Sequence, residues 1–357
     1  MKKFWISLLS VVLALFVVVI GYVSYVFIEY DRLGDETLEV NNASGTENAE
    51  TGREYTLLSM NTGFAAYSES FDFFMDGGTH SRAFSKEEVY KNLGGMREIF
   101  SREDPDFLFL QEVDEKADRS FKVNEREYHL STFPSYANAY AVNFHSAYLF
   151  YPLTRPHGKS KSGILTLSRY RMTSAERKSV PVDSGFTKFF DLDRCYMTSR
   201  IPAGEKELVL FNLHLSAYSK DGSINRRQLT VLYEEMEKER AAGNYVIAAG
   251  DFNQDLLKNS ADVFGIPVPE GVTWCAPFDD SALPQGFSLL APTGEGEDVP
   301  SCRNCDTGYK KGETFVLTVD GFIVSDNVDV VSCKVLDEGF LYSDHNPVKL
   351  TFSLSAD

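Results

Sequence analysis

Hydrophobic and polar positions divide the chain into three regimes. Residues 4–28, FWISLLSVVLALFVVVIGYVSYVFI, run for 25 positions without a charge. As a helix this stretch measures about 37 Å, enough to cross a hydrocarbon core of about 30 Å with some tilt. Residues 29–54, centred on NNASGTENAETG, are small, polar and acidic, the composition of a flexible tether. From Tyr55 onward apolar runs recur at strand length: YTLLSMN, DFLFLQE, SAYLFY, GILTLS, LVLFNLHLS, YVIAAGDFN, TFVLTVDGFIVS and NPVKLTFSL. They are rich in β-branched and aromatic residues and are bounded by Gly, Pro, Asp or Asn.

Two longer segments have helical patterning. SKEEVYKNLGGMREIFSRE opens with Ser85 and Glu88 at capping-box spacing, and SINRRQLTVLYEEMEKERAAGN closes on Gly243 and Asn244, a C-cap signal. Strands outnumber helices, which predicts a mixed α/β layered domain with at least two sheets. The expected organisation is a membrane anchor over 1–28, a tether over 29–54 and one domain over 55–357. The stretches 62–84 and 271–314 show no regular pattern, and loops of that length tend either to line a site or to cover a core.

Flanking residues orient the anchor. Lys2 and Lys3 precede it and EYDRLGDE follows, so the positive-inside rule puts the N-terminus in the cytoplasm and the rest outside. Phe4 and Trp5 at one end, with Tyr22, Tyr25 and Tyr30 at the other, suit interfacial positions. A cleaved signal peptide is the alternative, but the stretch exceeds the usual apolar region and no small-x-small site closes it. The net charge of −17 disfavours non-specific adhesion to nucleic acid or anionic lipid, although a metal or a local basic patch overrides such a sum. Five cysteines are too few to build the fold; Cys302 and Cys305, in SCRNCD, lack a second pair for zinc and are expected to form a local disulfide.

Chemistry concentrates where strands end. In GDFN, Asp251 and Asn253 are two residues apart and share a face of an extended strand, as do Asn212 and His214 in NLH. Other runs stop on Asn61, on Gln111 and Glu112, and on Asp344 and His345, while Asp320 stands inside an apolar strand. A lone buried carboxylate costs several kcal/mol unless a cation meets it. Carboxylates, amides and imidazoles without a serine or cysteine nucleophile point to a hard metal ion activating water.

The ordered series Asn61, QE at 111–112, NLH at 212–214, GDFN at 250–253, Asp320 and SDH at 343–345 resembles the endonuclease/exonuclease/phosphatase superfamily, and SGILTLSRY resembles the strand preceding its first His motif. The resemblance implies a four-layer α-β-β-α sandwich of two mixed, mainly antiparallel sheets, and a metal-dependent hydrolysis of a phosphate ester. It implies Glu112 as principal Mg²⁺ ligand (Mn²⁺ as substitute), with Asn61 beside it and Asp344 supporting the metal or its waters. Asp251 would deprotonate the attacking water, Asn253 would hold it or a phosphoryl oxygen, and His214 and His345 would donate to oxygens gaining charge. Asp320 would orient His345, and Tyr148 and Asn212 are candidate phosphate contacts. One position departs: the secreted deoxyribonucleases place a Glu where this chain has Ser146, so His214 is expected to lack a carboxylate partner.

Three functions compete. The first is a membrane-anchored phosphoesterase acting on a lipid-linked or small soluble phosphate, with FDFFMDGG as a lipid-inserting segment if Phe71, Phe73 and Phe74 are exposed. The second is an extracellular nuclease, drawing positive charge from PHGKSKSG, Arg226 and Arg227. The third is an inactive binding module of the same fold. None requires an obligate protein partner.

Overall fold

In a computed structural model of the chain, which describes residues 1–29, 32–42, 47–182, 193–217, 223–294, 296 and 298–356, two large sheets lie face to face. The first has the strand order β1 (Glu36–Leu38), β6 (Ser174–Ser179), β7 (Cys195–Ala203), β8 (Lys206–His214), β9 (Tyr245–Asp251), β13 (Asp320–Ser325) and β10 (Phe287–Leu290). The second runs β14 (Val328–Val335), β15 (Val348–Leu354), β2 (Glu54–Asn61), β3 (Phe107–Asp114), β5 (Lys161–Ser168) and β4 (Ala137–His145). A small ladder joins β11 (Cys302–Arg303) to β12 (Val316–Leu317). Each large sheet has one parallel pair, β8 with β9 and β2 with β3; the other described pairings are antiparallel.

The period of two along the strands explains the layering. Phe107 and Phe109 of β3 meet Leu208 and Leu210 of β8 in the cluster between the sheets. The alternate residues Leu108 and Leu110 face outward and pack on Met96, Ile99 and Phe100 of α2 (Lys86–Glu103). On the other side Val209 and Phe211 pack on Leu229, Leu232 and Met236 of α4 (Ser223–Ala241). Central strands buried on both faces read as continuous apolar runs, as the sequence does. The expected four-layer α-β-β-α sandwich is therefore present, with α3 (Glu125–Thr132) beside α2 and the short α5 (Ser260–Phe264) in the loop after β9. The capping box holds: Ser85 Oγ accepts from Glu88 N at 3.2 Å.

Several expectations are corrected. SAYLFY is a connection, not a strand; the strand is β4, just upstream, because the run breaks against Pro152 and rests on the end of α1 (Lys2–Glu29). TFVLTVDGFIVS divides between β12 and β13, which belong to different sheets. Within the stretch read as a tether, Glu36–Leu38 pair with β6, Ala49 is buried in the inter-sheet core, and buried Arg177 donates to Leu33 O and Gly34 O. Ordered pairing thus begins ahead of Tyr55. Tyr30, Asp31 and residues 43–46 of that stretch lie outside the described residues. Phe71 and Phe73 are buried in an aromatic cluster with Phe64 and Tyr67, and Phe74 is half-buried, so FDFFMDGG is not a lipid-inserting segment. All five cysteines are free: Cys302 and Cys305 turn their thiols toward the site instead of toward each other.

By length and composition α1 is a candidate membrane span near the N-terminus, a test a signal sequence also passes. Its side chains are exposed along nearly the whole helix, Val26 alone being buried.

Candidate active site

Backbone geometry sets the site before any side chain does. The β3–β5 register shifts between Leu110 and Val113, and Glu112 stands in this bulge with a left-handed φ of 54°. A bulge re-aims a side chain that a regular strand would send into a sheet face. Arg119 backs it: its guanidinium lies 3.7 Å from Glu112 Oε2, pairs with Asp114 at 2.8 Å and sits 3.9 Å over the Phe64 ring. At the end of β9, Gly250 (φ 143°) lets that strand pass β8 so closely that a Cβ would stand 2.0 Å from Leu213 O.

Asp251, 1% exposed, is the hub. Its Oδ1 accepts from Asn253 N at 2.8 Å, and its Oδ2 accepts from Asn61 Nδ2 at 3.0 Å. His214 Nε2 lies 3.5 Å and His345 Nε2 3.9 Å from the same Oδ2. Asn61 also reaches Glu112 Oε1 at 3.4 Å, which joins the ends of β2, β3 and β9. The His345 Nδ1 to Asp320 Oδ2 distance is 2.7 Å, and Ser301 Oγ donates to the same carboxylate oxygen at 2.8 Å.

Electrostatics separates the two imidazoles. Burial pulls His214 well below the usual histidine range, and the positive charges of Arg194, His345 and Arg119 add to it. Burial also opposes a charge on His345, but Asp320, with Cys302 and Asp344, holds it well above that range. Asp251 is pushed up to about 7 by burial, His345 opposing and Asp320 adding. Glu112 is raised by burial, with Arg119 opposing and Asp344 adding.

Asp251, Asp320 and His345 offer three ligand atoms within 4.8 Å of one another. Within that trio Asp320 Oδ2 and His345 Nδ1 are already hydrogen-bonded to each other at 2.7 Å, which occupies one ligand atom of each. Glu112 and Asp344 fit a cation better. They are carboxylates, Glu112 raised by burial and further by Asp344, with the Asn61 amide alongside, and an oxygen-rich set of this kind suits a hard divalent ion.

Of the ten candidate residues, Asn61, Glu112, His214, Asp251, Asp320 and His345 converge directly. Asp344 acts on Glu112 and contacts Cys305 Sγ at 3.5 Å. Asn253 is adjacent but not by strand alternation: it lies past the strand at φ 52° and its amide donates to Leu215 O at 2.9 Å. Asn212 is fully buried between the sheets, accepting from Gln111 Nε2 at 2.8 Å and donating to Leu165 O at 3.1 Å, which leaves it no phosphate to touch. Tyr148 contacts Tyr22, Tyr25 and Phe150 at the end of α1. His214 Nδ1 has no hydrogen-bond partner among the described residues, as the departure at Ser146 implies; Ser146 Oγ accepts from Ser160 N instead.

Sequence reasoning missed three residues. Arg194 is 3% exposed, its charge acts on both Glu112 and His214, and its Nε and Nη1 find no partner among the described residues. Arg119 and Cys302, the latter 3.6 Å from His345 Nε2, complete the list. Each sits in a loop or at a strand start, where no spacing rule signals its direction.

A sandwich of two mixed sheets with carboxylate, amide and imidazole groups converging at one end is the architecture of metal phosphoesterases. A sequence profile of the Endonuclease/Exonuclease/phosphatase family matches residues 89–345, and the chain belongs to that family. Its fold is similar to that of an endonuclease/exonuclease/phosphatase from Beutenbergia cavernae, at TM-score 0.59 and 16% identity over 85% of this chain and 72% of that one. A family protein from Leptotrichia buccalis matches at TM-score 0.54 and 14% identity, over 84% of this chain and 100% of the other. D. rerio TDP2, solved with a single-strand DNA product, matches at TM-score 0.53 and 15% identity, over 84% and 99%. Among curated protein sequences none matches this chain.

Proposed function

We propose that this chain is a membrane-anchored, Mg²⁺-dependent phosphoesterase that hydrolyses a phosphate ester by in-line attack of water, its catalytic domain on the extracytoplasmic side of a single N-terminal span. The observation that carries the reading is the convergence on Asp251 Oδ2 of Asn61, His214 and His345, with Glu112 and Asp344 alongside. A pseudoenzyme has no physical need for so many desolvated polar groups in one place. The anchor reading rests on α1, with Lys2 and Lys3 in its first turn and acidic residues from Glu29 onward. The folded unit then begins near Arg32 instead of Tyr55.

Glu112, with Asn61 and Asp344, would hold the cation, which when bound supplies positive charge to a non-bridging phosphoryl oxygen. Asp251, fixed by the Asn253 backbone N–H and the Asn61 amide, takes the proton of the attacking water. His345, kept protonated by Asp320, donates to the phosphoryl oxygens as charge grows on them. His214 stays neutral, and its Nε2 faces the same region. Arg194 brings a buried guanidinium toward the site, its Nε and Nη1 without a hydrogen-bond partner among the described residues, suited to a phosphate oxygen.

The test uses the full-length chain in detergent with a chromogenic phosphodiester. Turnover is expected with Mg²⁺ and lost with EDTA, Asp251→Asn or His345→Ala; equal rates in all four conditions would sink the assignment. A substrate panel of vesicle-borne phospholipid, soluble sugar phosphate, DNA and RNA then chooses the ester. A nuclease would lose activity steeply with added salt, a small-phosphate enzyme would not.

A further inference from the structure

One loop beside the candidate anchor is left apolar and open. The β4–β5 connection carries Phe150, Tyr151 and Leu153 at 51%, 68% and 84% exposure. Large apolar side chains grouped in this way call for a partner.

Two observations say which partner. The loop is docked on α1: Tyr22 Oη donates to Tyr148 O at 3.1 Å, Tyr148 N donates to Tyr25 Oη at 3.1 Å, and the Phe150 ring meets Tyr22 edge-on at 5.3 Å. Val26 packs with Ala147, and Lys159 pairs with Glu29 at 2.6 Å. Along the helix Tyr22 lies about 28 Å from Lys3, close to the thickness of a hydrocarbon core of about 30 Å. If α1 spans the bilayer from Lys3, Phe150 therefore reaches the boundary plane, where aromatic side chains settle. The loop also leaves its sheet at the end that holds the site, since His145 pairs with Lys161, Ser162 with Asp114 and Gly163 with Val113, next to Glu112. Phe74, from the segment that follows Asn61, meets the Tyr151 ring at 5.6 Å.

We propose that Phe150, Tyr151 and Leu153 form a lip that seats in the bilayer interface beside α1. The lip turns the catalytic end of the sandwich toward the membrane surface, so that the site draws on phosphate esters displayed there. The inference rests on the reading of α1 as an anchor and goes beyond it, because a helix alone leaves the domain free to face any direction.

The full-length chain reconstituted in phosphatidylcholine vesicles, with and without brominated acyl chains, tests this. Trp5 and Trp274 are the two native tryptophans. In Trp274→Phe, Trp5 reports the anchor; in Trp5→Phe/Trp274→Phe, an added Leu153→Trp reports the lip. Glu205→Trp in the same background, at the exposed β7–β8 turn on the opposite end, is the reference. Emission from Trp5 and from Leu153→Trp is expected to fall by about half in brominated vesicles, as for side chains about 5–10 Å into the interface, with Glu205→Trp unchanged. Quenching of Trp5 with Leu153→Trp behaving like the reference overturns the lip and leaves the anchor standing. An unquenched Trp5 overturns both. Turnover supplies a second measure: Leu153→Asp is expected to slow hydrolysis of a vesicle-borne ester several-fold and spare a soluble one, and equal effects on both overturn the orientation. If neither ester is hydrolysed by the parent chain, the phosphoesterase reading fails while quenching still decides the lip.

Discussion

At the scale of single residues, Asp251 joins catalysis to a cost in stability. As the base it acts only when deprotonated, and it is pushed up to about 7, so kcat/KM is expected to rise with pH up to about 7 and then level off. Asp251→Asn removes the base and is expected to lower kcat by about 100- to 10,000-fold. The stability effect runs the other way. A carboxyl that binds its proton more tightly folded than unfolded contributes stability below its usual value of 3.8, and that contribution is lost as pH rises through the folded value near 7. Asp251→Asn should therefore unfold a few degrees above the parent at pH 8, with the gap closing toward pH 4, in thermal scans at the two pH values. A variant less stable than the parent at pH 8 would contradict this reading of the carboxyl. Asp320→Asn acts first on His345: with the leading contribution to its raised proton affinity removed, the alkaline limb of activity, where His345 loses its proton, should move to lower pH, and Asp251, which Asp320 also raises, should shift the rising limb the same way, both read directly in a pH–rate profile.

Whole elements hold these groups in place. The bulge that aims Glu112 depends on Arg119, which neutralises Asp114, itself bonded by Ser120 Oγ at 2.8 Å, while Asp114 N donates to buried Glu125. Arg119→Met leaves buried carboxylates unpaired and is expected to cost about 3–5 kcal/mol, read as a lower denaturant midpoint. The close pairing of β8 and β9 depends on Gly250. Gly250→Ala drives a methyl into the Leu213 carbonyl and should both destabilise the chain and abolish turnover, because Asp251 is the next residue. Retained activity in that variant would mean that β9 shifts without moving the site. Strand ends carrying Asn61, Glu112 and Asp251 were legible in the sequence because apolar runs stop abruptly on polar residues. The bulge at Glu112 and the left-handed backbone at Asn253 were not, since both depend on how neighbouring strands register.

For the whole molecule, the reading of α1 makes a topological prediction. In sealed right-side-out vesicles, added protease should degrade the domain and leave the first residues of the chain protected, whereas soluble, unprotected chain would point to a cleaved or peripheral segment. The candidate nuclease patch fares poorly at this scale. Lys159 is paired with Glu29 and Lys161 with Glu115, so PHGKSKSG brings little free positive charge to a chain of net charge −17. Missed strands such as β1, β4 and β6 share a cause: Glu36–Leu38 is a short edge strand, Ser174–Ser179 beside it is polar, both have weak periodicity, and β4 mixes Asn and Ala into its run. Sequence by itself determined the layered α/β class, the apolar N-terminal helix and six of the converging groups, because burial leaves a period and strand ends leave punctuation. Tertiary structure alone decided that Asn212 is sealed between the sheets, that Arg194 and Arg119 stand beside Glu112, and that Phe150, Tyr151 and Leu153 lie against the end of α1. Those facts depend on which distant segments meet, and periodicity along one chain carries no record of that.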